Sequence, residues 1–218
     1  MPDPTLEKAL LTALRFHEIG SETPYKLFFA GKGKSGASFG FMQGDLAAGQ
    51  GVVKRTFQDA LEAAGFAAGT IKSLMLRLSV HLLLNPLSKS ETRDVNAALS
   101  SKAGKKLVDA MDKEIAAQVL EDLDLCIGTA AGANRKIAPA AQLYVAMWIN
   151  MTGKPTKLLT WLKGGDPHLS KKLPKIGPVV DVAAIEGYLQ ATDYYTQNPR
   201  NFKHLQESAA KGKAELPA

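Results

Sequence analysis

Cysteine is nearly missing from this chain: Cys126 stands alone in 218 residues. That excludes an intramolecular disulfide and any thiolate metal cluster, and its place in the apolar run 123–127 reads as a small buried hydrophobe. Aromatic residues make up only 7%, and the lysine clusters at 102–106 and 171–175 are not interleaved with them. A stacking platform for single-stranded nucleic acid is therefore not expected. No run reaches 18 apolar residues, so no membrane-spanning helix is expected. The first residues, Met1-Pro-Asp-Pro-Thr-Leu-Glu-Lys, lack the basic-then-apolar order of a secretory signal. Internal repeats and low-complexity segments are absent too. The four histidines, His17, His81, His168 and His204, have no partner at metal-ligand spacing, so no metal and no cofactor are expected.

What is present is globular. Hydrophobic residues are 45% of the chain against 22% charged. A chain of this size buries roughly 70% of its unfolded surface, and no shift in composition divides it. One domain over residues 1–218 is expected, with a frayed tail at 211–218, and a monomer. The net charge of +6 draws the protein to polyanions, among them a bacterial wall rich in phosphate and carboxylate.

Apolar residues recur at helical spacing over most of the chain, which predicts a mainly α protein of α+β type. Leu6, Leu10, Ala13 and Leu14 mark a first helix from about Thr5 to Glu18, with Asp3 or Thr5 as its cap and Gly20 as its end. Residues 25–42 break that pattern. The run Tyr25–Phe29 has strand propensity, Gly31, Gly33 and Gly36 turn the chain, and Ala37–Met42 is extended again, so a small hairpin or sheet is expected. Later helices are predicted over 51–64, 70–84, 90–99, 105–109, 112–127, 139–151, 155–163, 178–196 and 198–211.

The chemistry concentrates at Glu18 and the stretch Ser38-Phe39-Gly40-Phe41-Met42-Gln43-Gly44-Asp45. Glu18 lies four residues after Leu14 and so projects from the apolar face of its helix. Desolvation and the C-terminal end of the helix dipole both favour a protonated carboxyl there, which suits a general acid. A structural alternative is a Glu paired with a Lys or Arg at the helix end. Asp45 is either a second catalytic carboxylate or a helix cap. Gln43 and Ser38 either bind substrate or tie the hairpin down, and Tyr25 fits both roles. The stretch Gly31–Gly36 does not follow the Gly-x4-Gly-Lys-Ser/Thr order of a phosphate loop.

His17-Glu18-Ile19-Gly20 followed by Gly36–Asp45 resembles the goose-type lysozymes and the related soluble lytic transglycosylases. In those families a catalytic Glu precedes a Gly-x-Gly-Leu-Met-Gln stretch, matched here by Ser38–Gln43 with Phe41 in place of Leu. Two later segments are similar in order. Val145–Gly153 looks like the Ala-Tyr-Asn-Ala-Gly segment, which implies that Asn150 lines a sugar cleft. Ile185–Leu189 looks like the late helix that sets a tyrosine over the catalytic Glu, which would be Tyr188. The resemblance implies a lysozyme-like fold that cleaves peptidoglycan glycan strands, with Glu18 and Asp45 catalytic and Ser38, Gln43, Tyr25, Asn150 and Tyr188 against the substrate.

Glu18 would protonate the glycosidic oxygen as an oxocarbenium-like state develops. Water positioned by Asp45 would then give a hydrolysed product, inverted if the two carboxyl groups stand roughly 6.5–9.5 Å apart. Without such a base, the muramyl 6-hydroxyl closes on C1 and gives the 1,6-anhydro product of a lytic transglycosylase. A chitosanase or chitinase of the same superfamily is a further reading, and a non-catalytic helical protein that binds glycan or nucleic acid is another. With no leader in view, a phage endolysin or a delivered effector is expected: made in the cytoplasm and acting on the wall, without nucleic acid as partner.

Overall fold

The computed structural model describes residues 4–31, 34–48, 51–169, 171–173 and 175–217. It is mainly helical with a small antiparallel sheet, as the sequence pattern predicts. The possible cap Asp3 and the turn glycine Gly33 lie outside the described residues.

Two compact units emerge, one of residues 1–17 with 117–218 and one of residues 18–116. The division falls inside helix α1 (Pro4–Ile19) and inside helix α5 (Lys102–Gly132).

The unit of residues 18–116 carries the sheet. Strands β1 (Phe28–Phe29), β2 (Ala37–Phe39) and β3 (Gly44–Asp45) pair antiparallel in that order, with Phe28 opposite Ser38 and Ser38 opposite Asp45. Helices α2 (Gly51–Ala63), α3 (Ala68–Leu78) and α4 (Lys89–Ser100) close over it. Their core joins Ala37, Phe39 and Leu46 of the sheet region to Phe57, Leu61, Leu74, Leu78, Leu99 and Met111. Helix α4 starts with a reciprocal cap: Ser88 Oγ accepts from the Glu91 N–H, and Glu91 accepts from the Ser88 N–H at 2.7 Å. Arg77 grips the same Glu91 carboxylate at 2.6 and 3.1 Å, which holds that carboxyl down at about 2.

Three helices differ from the sequence expectation. The segments 105–109 and 112–127 are one helix of 31 residues that also covers Gly128 and Gly132. The apolar stripe Val108, Met111, Ile115, Val119, Leu123, Cys126, Ala130 runs through it unbroken, and burial of that stripe outweighs the roughly 1 kcal/mol that each interior glycine costs. Helix α3 stops at Leu78 rather than 84, because the chain leaves it to bond Leu82 N–H to Ser35 O at 3.0 Å. The 178–196 helix is divided. Val179–Val180 forms strand β5, parallel to β4 (Lys136–Ile137), as β-branched residues favour. Asp181 then caps α8 (Val182–Gln190), and Thr192 caps α9 (Asp193–Gln197).

In the unit of residues 1–17 with 117–218, α6 (Pro139–Thr152) is buried on nearly every side, and α10 (Pro199–Lys213) packs on it. Helix α7 (Thr156–Leu162) follows α6. Gly212 lets α10 approach α1 closely: a Cβ there would meet Ala13 Cβ at 2.8 Å. Among the described residues no helix is long and apolar enough to cross a membrane.

Candidate functional site

Glu18 is the second-last residue of α1 and is half-buried. It belongs to the same compact unit as Tyr25, Ser38, Gln43 and Asp45. Asn150 and Tyr188 belong to the other.

The sheet and its turn form a tightly bonded piece. Gly40 takes φ +81°, a conformation that costs glycine little, and Gln43 takes φ +52°, which is uncommon for a residue with a side chain. The turn supports Gln43 from within: Ser38 Oγ donates to Gln43 Oε1 at 2.7 Å, and Gln43 Nε2 donates to Gly40 O at 3.0 Å. Backbone strain of this kind persists only where surrounding bonds over-determine it. Gln43 therefore ties the hairpin down through bonds within its own turn, and its side chain is half-buried.

Asp45 is a brace. Its Oδ1 accepts the Gly36 N–H at 3.0 Å and the Ala47 N–H at 2.7 Å. It does not cap α2, which begins at Gly51. Tyr25 donates its hydroxyl to Asp109 Oδ1 at 2.9 Å, and Lys105 Nζ sits 5.3 Å from the ring centroid. This contact fixes the ring beside α5.

One residue escaped the sequence reading. Asp112, on α5, is completely buried. Its Oδ2 accepts the Phe41 N–H at 2.8 Å and its Oδ1 the Met42 N–H at 3.0 Å. A carboxylate thus holds the backbone of the turn that carries Gln43. A Cβ on Gly40 would collide with this carboxylate, so Gly40 is needed for space as well as for φ. The signal was legible: Asp112 lies on the apolar stripe of α5, beside Met111, just as Glu18 lies on that of α1.

In the other unit, Tyr188 is 1% exposed. Its ring lies 4.9 Å from that of Trp161, and burial, with Cys126 nearby, pushes its hydroxyl pKa up. Tyr188 is a core residue and presents no surface to a glycan. Asn150 is half-buried near the end of α6. His17 and His204 stack at 5.1 Å, with His17 Nε2 3.3 Å from Met151 Sδ and His204 Nε2 bonded to His17 O at 2.8 Å. Burial and the neighbouring His204 lower His17 to about 4. Cys126 is buried, and desolvation, then Asp122, push its thiol up to about 12. Among the described residues no three His, Cys, Asp or Glu side chains converge as a metal site.

Comparison with family models, with curated proteins and with solved structures finds no match for this chain.

Proposed function

We propose that the protein cleaves the glycan strands of bacterial peptidoglycan, with Glu18 as the proton donor. The observation that carries this reading is the pairing, within one compact unit, of a half-buried carboxyl at the C-terminal end of a helix with a turn that holds Gln43 in a strained backbone conformation. Strain that is paid for by several bonds is characteristic of sites that must present a group in one pose. The helix end disfavours an anion at Glu18, which suits a carboxyl that must give up a proton to a leaving oxygen.

Cleavage then proceeds in two steps. The Glu18 proton passes to the glycosidic oxygen, the C1–O bond breaks, and C1 takes on oxocarbenium character. The bonding of Asp45 favours one outcome over the other. Its Oδ1 is engaged by two backbone N–H groups, which pins the carboxylate to the turn and limits its freedom to swing toward a water molecule. Capture of C1 by the muramyl 6-hydroxyl, whose proton Glu18 takes up, is favoured over hydrolysis.

Mass spectrometry of digested peptidoglycan tests both points. Anhydro-muramyl ends are expected, and Glu18→Gln should abolish them while the circular dichroism spectrum stays unchanged. Asp45→Asn keeps an acceptor for both N–H groups and should retain cleavage within about threefold. Reducing ends, lost in a folded Asp45→Asn, would assign Asp45 as the base of a hydrolase. Reducing ends from chitosan or chitin with intact peptidoglycan would move the substrate class. Lysis that survives Glu18→Gln removes the mechanism.

A further inference from the structure

Described residues of the stretch 161–176, with Arg135, line an open cavity of about 680 Å³, a size that suits a small-molecule ligand. Its walls come from one compact unit. Arg135, Lys171, Lys172 and Lys175 line it, against a single described carboxylate, Asp166. That carboxylate is already turned toward its own loop: Oδ1 accepts the His168 N–H at 2.8 Å, and His168 itself takes φ +50°. Among the described residues the cavity wall therefore carries an excess of positive charge over its one carboxylate.

Two further features shape the cavity wall. Trp161 lines the cavity and is 4% exposed, so its ring forms part of the wall, while its indole N–H lies beneath that wall with no hydrogen-bond acceptor among the described residues and reports on changes in it. Buried donors of this kind are uncommon without a partner. Arg135 is anchored in place, donating from Nη1 to Leu162 O at 2.9 Å, while Nη2 lies beside Gly164, where a Cβ would come within 3.0 Å of it. A fixed guanidinium and three exposed lysines lining one cavity make the donor set of a phosphate site, the guanidinium for geometry and the lysines for charge.

We propose that this cavity binds the phosphate group of a small phosphorylated ligand. The inference is independent of glycan cleavage at Glu18. A concave site with its aromatic ring buried rather than displayed for stacking fits a compact anion better than a nucleic-acid strand.

The test is calorimetric titration of the full chain with pyrophosphate at about 0.15 M salt, where weak surface attraction is screened. Saturable binding with Kd below about 1 mM is expected. The paired change Lys171→Glu with Lys172→Glu should weaken it at least tenfold. Lys102→Glu with Lys106→Glu, the same charge change on exposed positions of α5, should leave it intact. In the nuclear magnetic resonance spectrum, the Trp161 indole N–H signal, identified by its loss in Trp161→Phe, should shift on titration. Absence of saturable binding, equal weakening by both lysine pairs, or an unmoved Trp161 signal would overturn the proposal. So would binding of a short DNA oligonucleotide where pyrophosphate fails.

Discussion

Replacing Asp112 by alanine should release the turn that carries Gln43. The magnitude follows from the bonds. Asp112 has no exposed surface and accepts two backbone N–H groups, at 2.8 and 3.0 Å. Hydrogen bonds to a charged group contribute about 1.5–3 kcal/mol each, and each donor left buried and unpaired costs about 1–3 kcal/mol. The two costs overlap, so a local loss on the order of 3–5 kcal/mol is expected. Asp112→Asn keeps one acceptor but turns an amide N–H toward the second backbone donor, and should cost about half as much. A chain with two compact units need not unfold in one step. The measurement is therefore native-state hydrogen exchange at the Phe41 and Met42 amides, which reads the local opening energy. Gly40→Ala gives an independent check, because its Cβ would strike the same carboxylate at a backbone φ of +81°. If Asp112→Ala lowers protection at these two amides by less than about 1 kcal/mol, the carboxylate is not what holds the turn.

Acid should weaken the unit that contains His17. Its folded-state pKa of about 4 lies below the ordinary 6.5, so the unfolded chain binds the extra proton first, and stability present above pH 6.5 is lost as pH falls toward 4. The loss between pH 7 and 5 is at most about 2 kcal/mol, visible in thermal melts and flattened by His17→Asn. Gly212→Val should destabilise by roughly 1–3 kcal/mol in urea melts, since the added carbons meet α1 at Ala13. Ser88→Ala removes the side-chain half of the α4 cap and should cost about 0.5–2 kcal/mol by the same measurement. Its effect should fall on residues 18–116 and leave exchange of α6 amides unchanged.

Periodicity made the helices legible where an apolar stripe was continuous, as in α1, α2 and α6. It misled where charge or glycine interrupted the letters but not the stripe. Two helices were expected over 105–109 and 112–127, whereas α5 passes through both without a break. The opposite failure occurred at 79–84, where Leu82, Leu83 and Leu84 continue an apolar run but Leu82 bonds to the sheet loop instead of the helix. Propensity alone could not anticipate that partner, because the bond joins residues 47 positions apart in sequence. The parallel pairing of Val179–Val180 with Lys136–Ile137 was hidden for the same reason.

The candidate site was legible in its residue types and less so in their roles. Sequence placed Gln43 and Asp45 where a sugar-binding turn would need them, yet both spend hydrogen bonds on the turn itself. That assignment follows from geometry at a strained backbone: a residue at φ +52° needs bonds close by, and Ser38 and Gly40 supply them. Asp112 supports the same turn from α5 through the Phe41 and Met42 N–H groups. Three carboxylates enter the argument, and they differ in what surrounds them. Asp45 and Asp112 accept pairs of backbone N–H groups that hold them in service to the fold. Glu18 stands at a helix terminus whose dipole opposes a negative charge. Under the proposed function Glu18 is the proton donor, and a Glu18→Gln variant that keeps its fold but loses glycan cleavage is the outcome that the proposal requires.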